Sequence, residues 1–219
     1  MRVFLLLMFL IPIKSNAQFE FQNDAGDRPQ SRIPNPNYDS IQFEFRMWED
    51  GWFYPSFYQM TYDYNGAWSY KRGFICDQEM IQLDPVEPTP NIDSIWSILI
   101  SKNVLTLKSQ NEIRVSLKMD ANIYKLNEEE FDKLLGTDGI GYMIELMTKD
   151  RYRSYYYINP ISLSDRFNKS SQNHWIATEH HQMADIVNTL NEVFNRSEIN
   201  ALLVQKWKDN YNKNSKRPK

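Results

Sequence analysis

The chain has 219 residues, with 25 basic and 28 acidic side chains and a net charge of −3. That charge offers no general attraction for nucleic acid, so we expect no nucleic-acid partner. Six Trp, thirteen Tyr and twelve Phe supply ample core material, which argues against disorder of the main body. The single cysteine, Cys76, excludes an intramolecular disulfide, and its apolar setting in GFIC predicts a buried side chain.

The first 17 residues have the pattern of an export signal. Arg2 precedes an apolar run over residues 3–13, and residues 15–17, Ser-Asn-Ala, form a small-residue cleavage site. Such a run is too short to span a bilayer core, which needs about 20 apolar residues. We therefore expect a cleaved, exported chain, periplasmic or extracellular and not membrane-embedded; an N-terminal membrane anchor is the alternative.

Beyond the signal peptide, composition predicts three regions. Residues 18–40 are polar and rich in proline, which is typical of a flexible N-terminal arm or a wrapped segment. Residues 41–210 should form a single domain, and residues 211–219 a basic tail. The arm opens with QFEFQ, close to the QFEFR of residues 42–46, so it is also a candidate extra strand.

Alternating side chains predict an antiparallel meander in the first half of the domain. Residues 41–47, 56–64 and 67–76 alternate with period two, as half-buried strands do, and residues 79–83 suggest a weaker strand. Asn65-Gly66 predicts a hairpin between the second and third of these. We expect one face of the second strand to carry its large side chains, Tyr58, Met60, Tyr62 and Tyr64.

The second half mixes helices and strands. The predicted elements are a helix over residues 90–103 capped by Thr89, a strand over 112–119, a helix over 127–136, a polar loop over 162–173, a helix capped by Thr178, and a helix beginning at Ser197. The helix after Thr178 has an apolar stripe that must pack on the sheet, formed by Met183, Ile186, Val187, Leu190, Val193 and Phe194.

Residues 139–160 predict a two-stranded ribbon. A two-residue turn at Lys149 and Asp150 would pair Leu146 with Arg153, Ile144 with Tyr155, and Tyr142 with Tyr157. Both faces carry large side chains, so we expect the ribbon to lie inside a sheet. Runs of strands followed by helices favour a single α+β domain, with a mostly antiparallel sheet packed by two or three helices.

Recognised catalytic and cofactor motifs are absent from the sequence. There is no GxSxG elbow, phosphate-binding glycine loop or HExxH pair, so we predict no cofactor and no metal. A metal site would have to draw on His174, Glu179, His180, His181 and Asp185. Polar residues at the start of a surface helix explain the same pattern.

Glu145 is the candidate general acid or base, because an acid among aromatic residues on a sheet can have a raised pKa. Glycoside hydrolysis would need a second carboxylate, such as Asp138 or Asp120. The competing interpretation pairs Glu145 with an arginine, such as Arg114 or Arg153.

Residues 48–58 carry a cluster of aromatic side chains that falls partly in a predicted loop. Exposed rings there would bind a protein or a glycan, whereas buried rings would belong to the core. The candidate binding residues are Trp48, Trp52, Phe53 and Tyr54.

The run DGIGYMIELMTKDRYRSYYYINP, followed by the helix over residues 178–194, resembles a segment of uncharacterised exported bacterial proteins. The signal ending SNAQ is similar to the export signals of those proteins. The resemblance covers the latter half of the chain. It implies export and an α+β fold, and it brings no activity with it.

The sequence favours an exported, non-catalytic binding or interaction module that uses surface aromatics. The alternative is a secreted hydrolase acting on glycans or cell-wall material, with Glu145 as acid or base. A third hypothesis is an assembly role, in which the arm adds a strand to a neighbouring chain.

Overall fold

The fold is α+β, as the sequence predicts. The computed structural model describes residues 19–22, 34–50, 54–76, 79–110, 112–113, 139–168 and 177–215. The strands in these ranges are β1 Ile41–Asp50, β2 Ser56–Asp63, β3 Trp68–Cys76, β4 Glu79–Gln82, β5 Gly141–Met147 and β6 Tyr152–Ile158. The helices are α1 Ile92–Ser101, α2 Pro160–Asn168, α3 Ala177–Val193 and α4 Arg196–Ser215.

The six strands form one antiparallel sheet in the order β4-β3-β2-β1-β5-β6. The meander β1 to β4 is thus confirmed, and the ribbon β5–β6 joins it by pairing with β1. Strand β1 is therefore central, and it is buried along nearly all its length. Among the described strands β6 forms one edge, so β5 has a neighbouring strand on each side and β6 has one on a single side.

Both predicted hairpins form. In the ribbon, Leu146 pairs with Arg153 and Ile144 with Tyr155, so the predicted register is confirmed. The β2–β3 loop consists of the four residues 64–67, and only Gly66 among them has positive φ, at 83°. This is the usual arrangement of a type I turn followed by one left-handed residue.

The first face of the sheet packs against the helices. Its aromatic core includes Phe43, stacked at 4.4 Å on Phe19 and 4.9 Å from Trp96 of α1. Phe19 and Phe21 are both buried, so the short segment 19–22 of the N-terminal arm packs on the domain. Cys76 is buried as predicted. The stripe on α3 also packs here, with Val193 half-buried and the other five predicted side chains buried.

Arg72 of β3 ties the junction of α3 and α4 to this face. Its guanidinium donates to the main-chain oxygen of Phe194 at 3.0 Å, to that of Asp84 at 2.9 Å, and to Glu198 at 2.7 Å. A cation is favoured at the C-terminal end of a helix, where carbonyl groups lack partners. The connection is therefore stabilised where Asn195 turns the chain with a φ of 51°.

Two sequence predictions for the second half of the chain are wrong. The polar loop expected over residues 162–173 is helix α2 up to Asn168, which begins at Pro160, a residue whose fixed φ suits a first turn. The strand expected over 112–119 does not include Glu112 or Ile113, which are helical. Glu112 and Ser109 there exchange side-chain to backbone bonds of 2.5 and 3.3 Å, which is a capping box.

Helix starts also differ from the predictions. Asn91, not Thr89, caps α1, accepting the Ser94 N–H at 3.1 Å. Thr178 lies inside α3, which already includes Ala177. The remainder of the predicted strand, residues 114–119, and the helix over 127–136 lie outside the described residues. No described helix combines the length and the apolar character that a membrane crossing demands.

Candidate functional site

Glu145 lies on the second face of the sheet, opposite the helices. Its register partner on β1 is Arg46, whose partner on β2 is Gln59. Both Glu145 and Arg46 are essentially inaccessible to solvent. Because successive side chains alternate between faces, Glu44, Arg46 and Trp48 of β1 all point to this second face.

Both carboxylate oxygens of Glu145 accept hydrogen bonds. Trp48 donates its indole N–H to Oε2 at 2.6 Å, and the Tyr152 hydroxyl donates to Oε1 at 3.0 Å. Nη1 of Arg46 lies 4.0 Å from Oε2. A buried charge is tolerated only when it is paired and hydrogen-bonded in this way.

Arg46 connects Glu145 to a second buried acid, Glu44. Its Nε donates to Glu44, and Nη2 donates to the main-chain oxygen of Pro34. Burial raises the pKa of Glu44 above its usual value, although the Arg46 charge and the Gln59 amide oppose the shift. We call Glu44, Arg46, Trp48, Glu145 and Tyr152 the buried polar cluster.

The arginine that approaches Glu145 is thus Arg46, which the sequence interpretation did not name. Arg153 lies on the first face, where it donates to the Tyr155 hydroxyl at 2.7 Å and the Leu107 carbonyl at 3.1 Å. Arg114 and the proposed second carboxylates, Asp120 and Asp138, lie outside the described residues.

The proposed aromatic binding residues have different environments. Trp48 is buried in the polar cluster, where Phe57 and Ile75 pack beside it. Tyr54 is half-buried and packs against the core. Trp52 and Phe53 lie outside the described residues, so their binding role stays a prediction.

The proposed metal ligands on α3 have separate contacts. His180 is buried edge-on against the Tyr157 ring, 5.5 Å away, and Nδ1 of His181 contacts the Ser164 hydroxyl. Asp185 accepts from Lys102 at 2.6 Å. Across the described ranges no three such side chains gather as a metal would require. His174 is outside these ranges.

An open pocket of about 530 Å³ lies on the second face beside the β2–β3 hairpin. We call it the hairpin pocket. Strands β2 and β3 supply its wall, and the turn that leads into β1 supplies its rim. Its polar lining residues include Asp39, Ser40, Gln59, Thr61, Asp63, Asn65, Ser69 and Lys71.

The hairpin pocket presents both donors and acceptors. The hydroxyls of Thr61 and Ser69 contact each other at 2.6 Å, and the Lys71 side chain is exposed. Asp63 accepts the Ala67 N–H at 2.8 Å; this bond, more than its contacts with Asn65, holds the pKa of that carboxyl below its ordinary value. The pocket therefore presents both an ionised carboxylate and an ammonium group to a ligand.

Gln59 separates the hairpin pocket from the buried polar cluster. Its side chain is 7% exposed, and its amide carbonyl oxygen has no hydrogen-bond partner among the residues described. An unsatisfied buried polar atom costs about 1–3 kcal/mol. A bound polar group that reached this oxygen would recover that free energy.

Tyr64 stands between the hairpin pocket and a second depression. The strand pattern places it on the core face, but β2 ends at Asp63, and the Tyr64 side chain is 57% exposed in the loop. The second depression has a volume of about 230 Å³ and also includes Glu20, Lys149 and Arg151. Tyr64 lines both depressions.

Comparison with known proteins finds no matching family model, no similar curated protein and no similar solved structure. The fold and the site are therefore interpreted from their own chemistry. The sequence does contain a signal for the hairpin pocket. Gln59, Thr61 and Asp63 alternate with large core residues and precede the Asn65-Gly66 turn. The same period that predicts the core thus also predicts one polar strip.

Proposed function

We propose that this chain is an exported, non-catalytic binding module that holds a polar ligand in the hairpin pocket. Export is supported by the signal-like first 17 residues. The observation that carries the binding role is the pocket itself. At about 530 Å³ it falls within the range of roughly 300–1,000 Å³ that is usual for small-molecule sites.

Several properties of the described acids favour binding over acid–base catalysis. A general acid that works near neutral pH needs a raised pKa and access to substrate. In the hairpin pocket, the pKa of Asp63 is lowered. The pKa values of Glu44 and Glu49 are raised by burial, but these side chains are buried and paired with Arg46 and Arg196.

The geometry of Glu145 also favours a structural role for this residue. A catalytic carboxylate must exchange its partners for substrate, whereas both oxygens of Glu145 are occupied beneath a 1% exposed surface. The hydrolase alternative would require Trp48 and Tyr152 to release the carboxylate. We therefore place binding first and keep hydrolysis as an outcome of the test.

Saturation-transfer NMR on the mature chain tests this proposal. The probes are a panel of monosaccharides, disaccharides, free amino acids and short peptides. We expect at least one class to bind, and Lys71→Met to weaken that binding by about tenfold, because a charge-assisted hydrogen bond is worth roughly 1.5–3 kcal/mol. Lys208→Met, which removes an exposed charge on α4, is the matched control.

The same spectra report chemistry. Non-catalytic binding predicts that no probe is converted during long incubation. If the wild type hydrolyses a disaccharide and a folded Glu145→Gln variant does not, the hydrolase alternative replaces the proposal. Binding that is equally strong in wild type and Lys71→Met would remove the hairpin pocket as the site.

A further inference from the structure

We propose that the ligand of this site is a glycan chain that runs from the hairpin pocket across Tyr64 into the second depression. The inference rests on the proposed function and names its ligand class. The two depressions share Tyr64 at the hairpin end of the sheet. A ligand that fills both must be extended and must cross the exposed Tyr64 side chain.

The polar lining of the hairpin pocket suits sugar hydroxyls. A hydroxyl both donates and accepts, so the hydroxyls of a glycan can bind carboxylates and ammonium groups alike. Lys71 on β3 pairs with Gln59 on β2, and Asp63 lies four residues further along β2, so the two charged groups would contact different parts of an extended ligand. The unsatisfied Gln59 oxygen, at the base of the same strip, is a further acceptor.

Other ligand classes fit the lining less well. A polyanion such as nucleic acid or a phosphorylated chain would meet the carboxylates of Asp39 and Asp63 in the hairpin pocket. In the second depression Glu20 and Asp150 balance Lys149 and Arg151, so that surface has no net positive charge to attract a polyanion. A peptide strand added to a sheet pairs along an edge, whereas this pocket lies on the face of β2 and β3.

The exposed Tyr64 ring provides an apolar platform between the two polar depressions. The C–H groups on a sugar ring face can pack against an aromatic ring while the hydroxyls point to the sides. The side chain projects from the loop with 57% of its surface exposed. A buried anchor cannot have this role, which excludes Trp48.

The chain-length dependence of binding tests the inference. Isothermal titration calorimetry would use cello-, chito- and malto-oligosaccharides of one to six units on the mature chain. We expect one series to show affinity that rises with length and then levels off once both depressions are filled. Tyr64→Ala should weaken binding of the longer oligosaccharides by about five- to tenfold, the range of aromatic contacts.

Two further variants test the Tyr64 ring and the second depression separately. Tyr64→Trp should keep the affinity, since it keeps the ring, and Lys149→Met should weaken only the longer oligosaccharides. Of these variants, only Lys71→Met should weaken monosaccharide binding, by the same factor of about ten. The substituted side chains are exposed, so each variant should keep the stability of the wild type. Thermal unfolding checks this.

Failure of the inference and failure of the proposed function give different results. If probes bind through Lys71 but are all amino acids or peptides, the binding module stands and the glycan assignment is overturned. If sugars bind with no dependence on length or on Tyr64, the extended path is overturned. If no probe class binds, both are.

Discussion

Arg46→Met is the most informative perturbation of the buried polar cluster. The guanidinium is fully buried, bonds Glu44 and the Pro34 carbonyl, and lies 4.0 Å from Glu145. A charge pair at that distance interacts by roughly 4 kcal/mol at an effective dielectric constant of about 20. Removing the arginine leaves two buried acids without their cation. Such changes destabilise proteins by about 3–5 kcal/mol.

Urea unfolding at pH 7, followed by circular dichroism, measures this loss. For a chain of this size the corresponding fall in Tm is about 6–20 °C. The double variant Glu44→Gln/Arg46→Met should lose less than Arg46→Met alone, because it buries one fewer unpaired charge. Lys208→Met on α4 is the matched control and should change the unfolding free energy by less than about 0.5 kcal/mol.

The reasoning is refuted if Arg46→Met loses less than 1 kcal/mol with an unchanged m-value. It is equally refuted if the effects of Glu44→Gln and Arg46→Met simply add. Either result would mean that the two acids find other partners or are not buried together in solution.

Two further predictions concern pH and the hairpin. Burial raises the pKa of Glu44 in the folded state above its usual 4.5, so the folded state binds this proton more tightly than the unfolded state. The stability of the wild type relative to Glu44→Gln should therefore fall as pH rises above about 4.5. A stability difference that is constant or reversed between pH 4 and 7 in urea unfolding contradicts this. Gly66 has a φ of 83°, so Gly66→Ala should lower the free energy of unfolding by about 1–2 kcal/mol. Gly66→Asn should lower it less, because asparagine tolerates this conformation. Equal losses of stability in thermal unfolding of the two variants would contradict the turn geometry.

Much of the sheet was predictable because its determinants are local. The alternation of Phe43, Phe45 and Met47 identifies a core face without knowledge of any partner strand. The ribbon register follows from a two-residue turn, which leaves only one pairing for Ile144 and Tyr155. Helix α2 was missed because its sequence is largely polar. It also begins at Pro160, directly after Asn159, where the strand ladder ends.

The candidate site was only partly predictable. Glu145 lies beside the aromatic side chains of Trp48 and Tyr152, yet its cation is Arg46, far away in the chain. No local pattern reports that β1 pairs with β5. Likewise, Tyr64 continues the period of β2, and only the end of the strand at Asp63 places it in solvent.

Taken alone, the sequence determined the six strands of the sheet, which of their faces are apolar and where the hairpins turn, because side-chain period and turn chemistry act over a few residues. The tertiary structure decided that β1 lies at the centre, between β2 and β5. That placement brings Trp48 to Glu145, 97 residues further along the chain. The candidate catalytic acid is therefore a buried carboxylate whose two oxygens both accept hydrogen bonds. Contacts at such separation depend on which strands pair across the sheet, and that choice minimises the free energy of the whole fold rather than of any one segment.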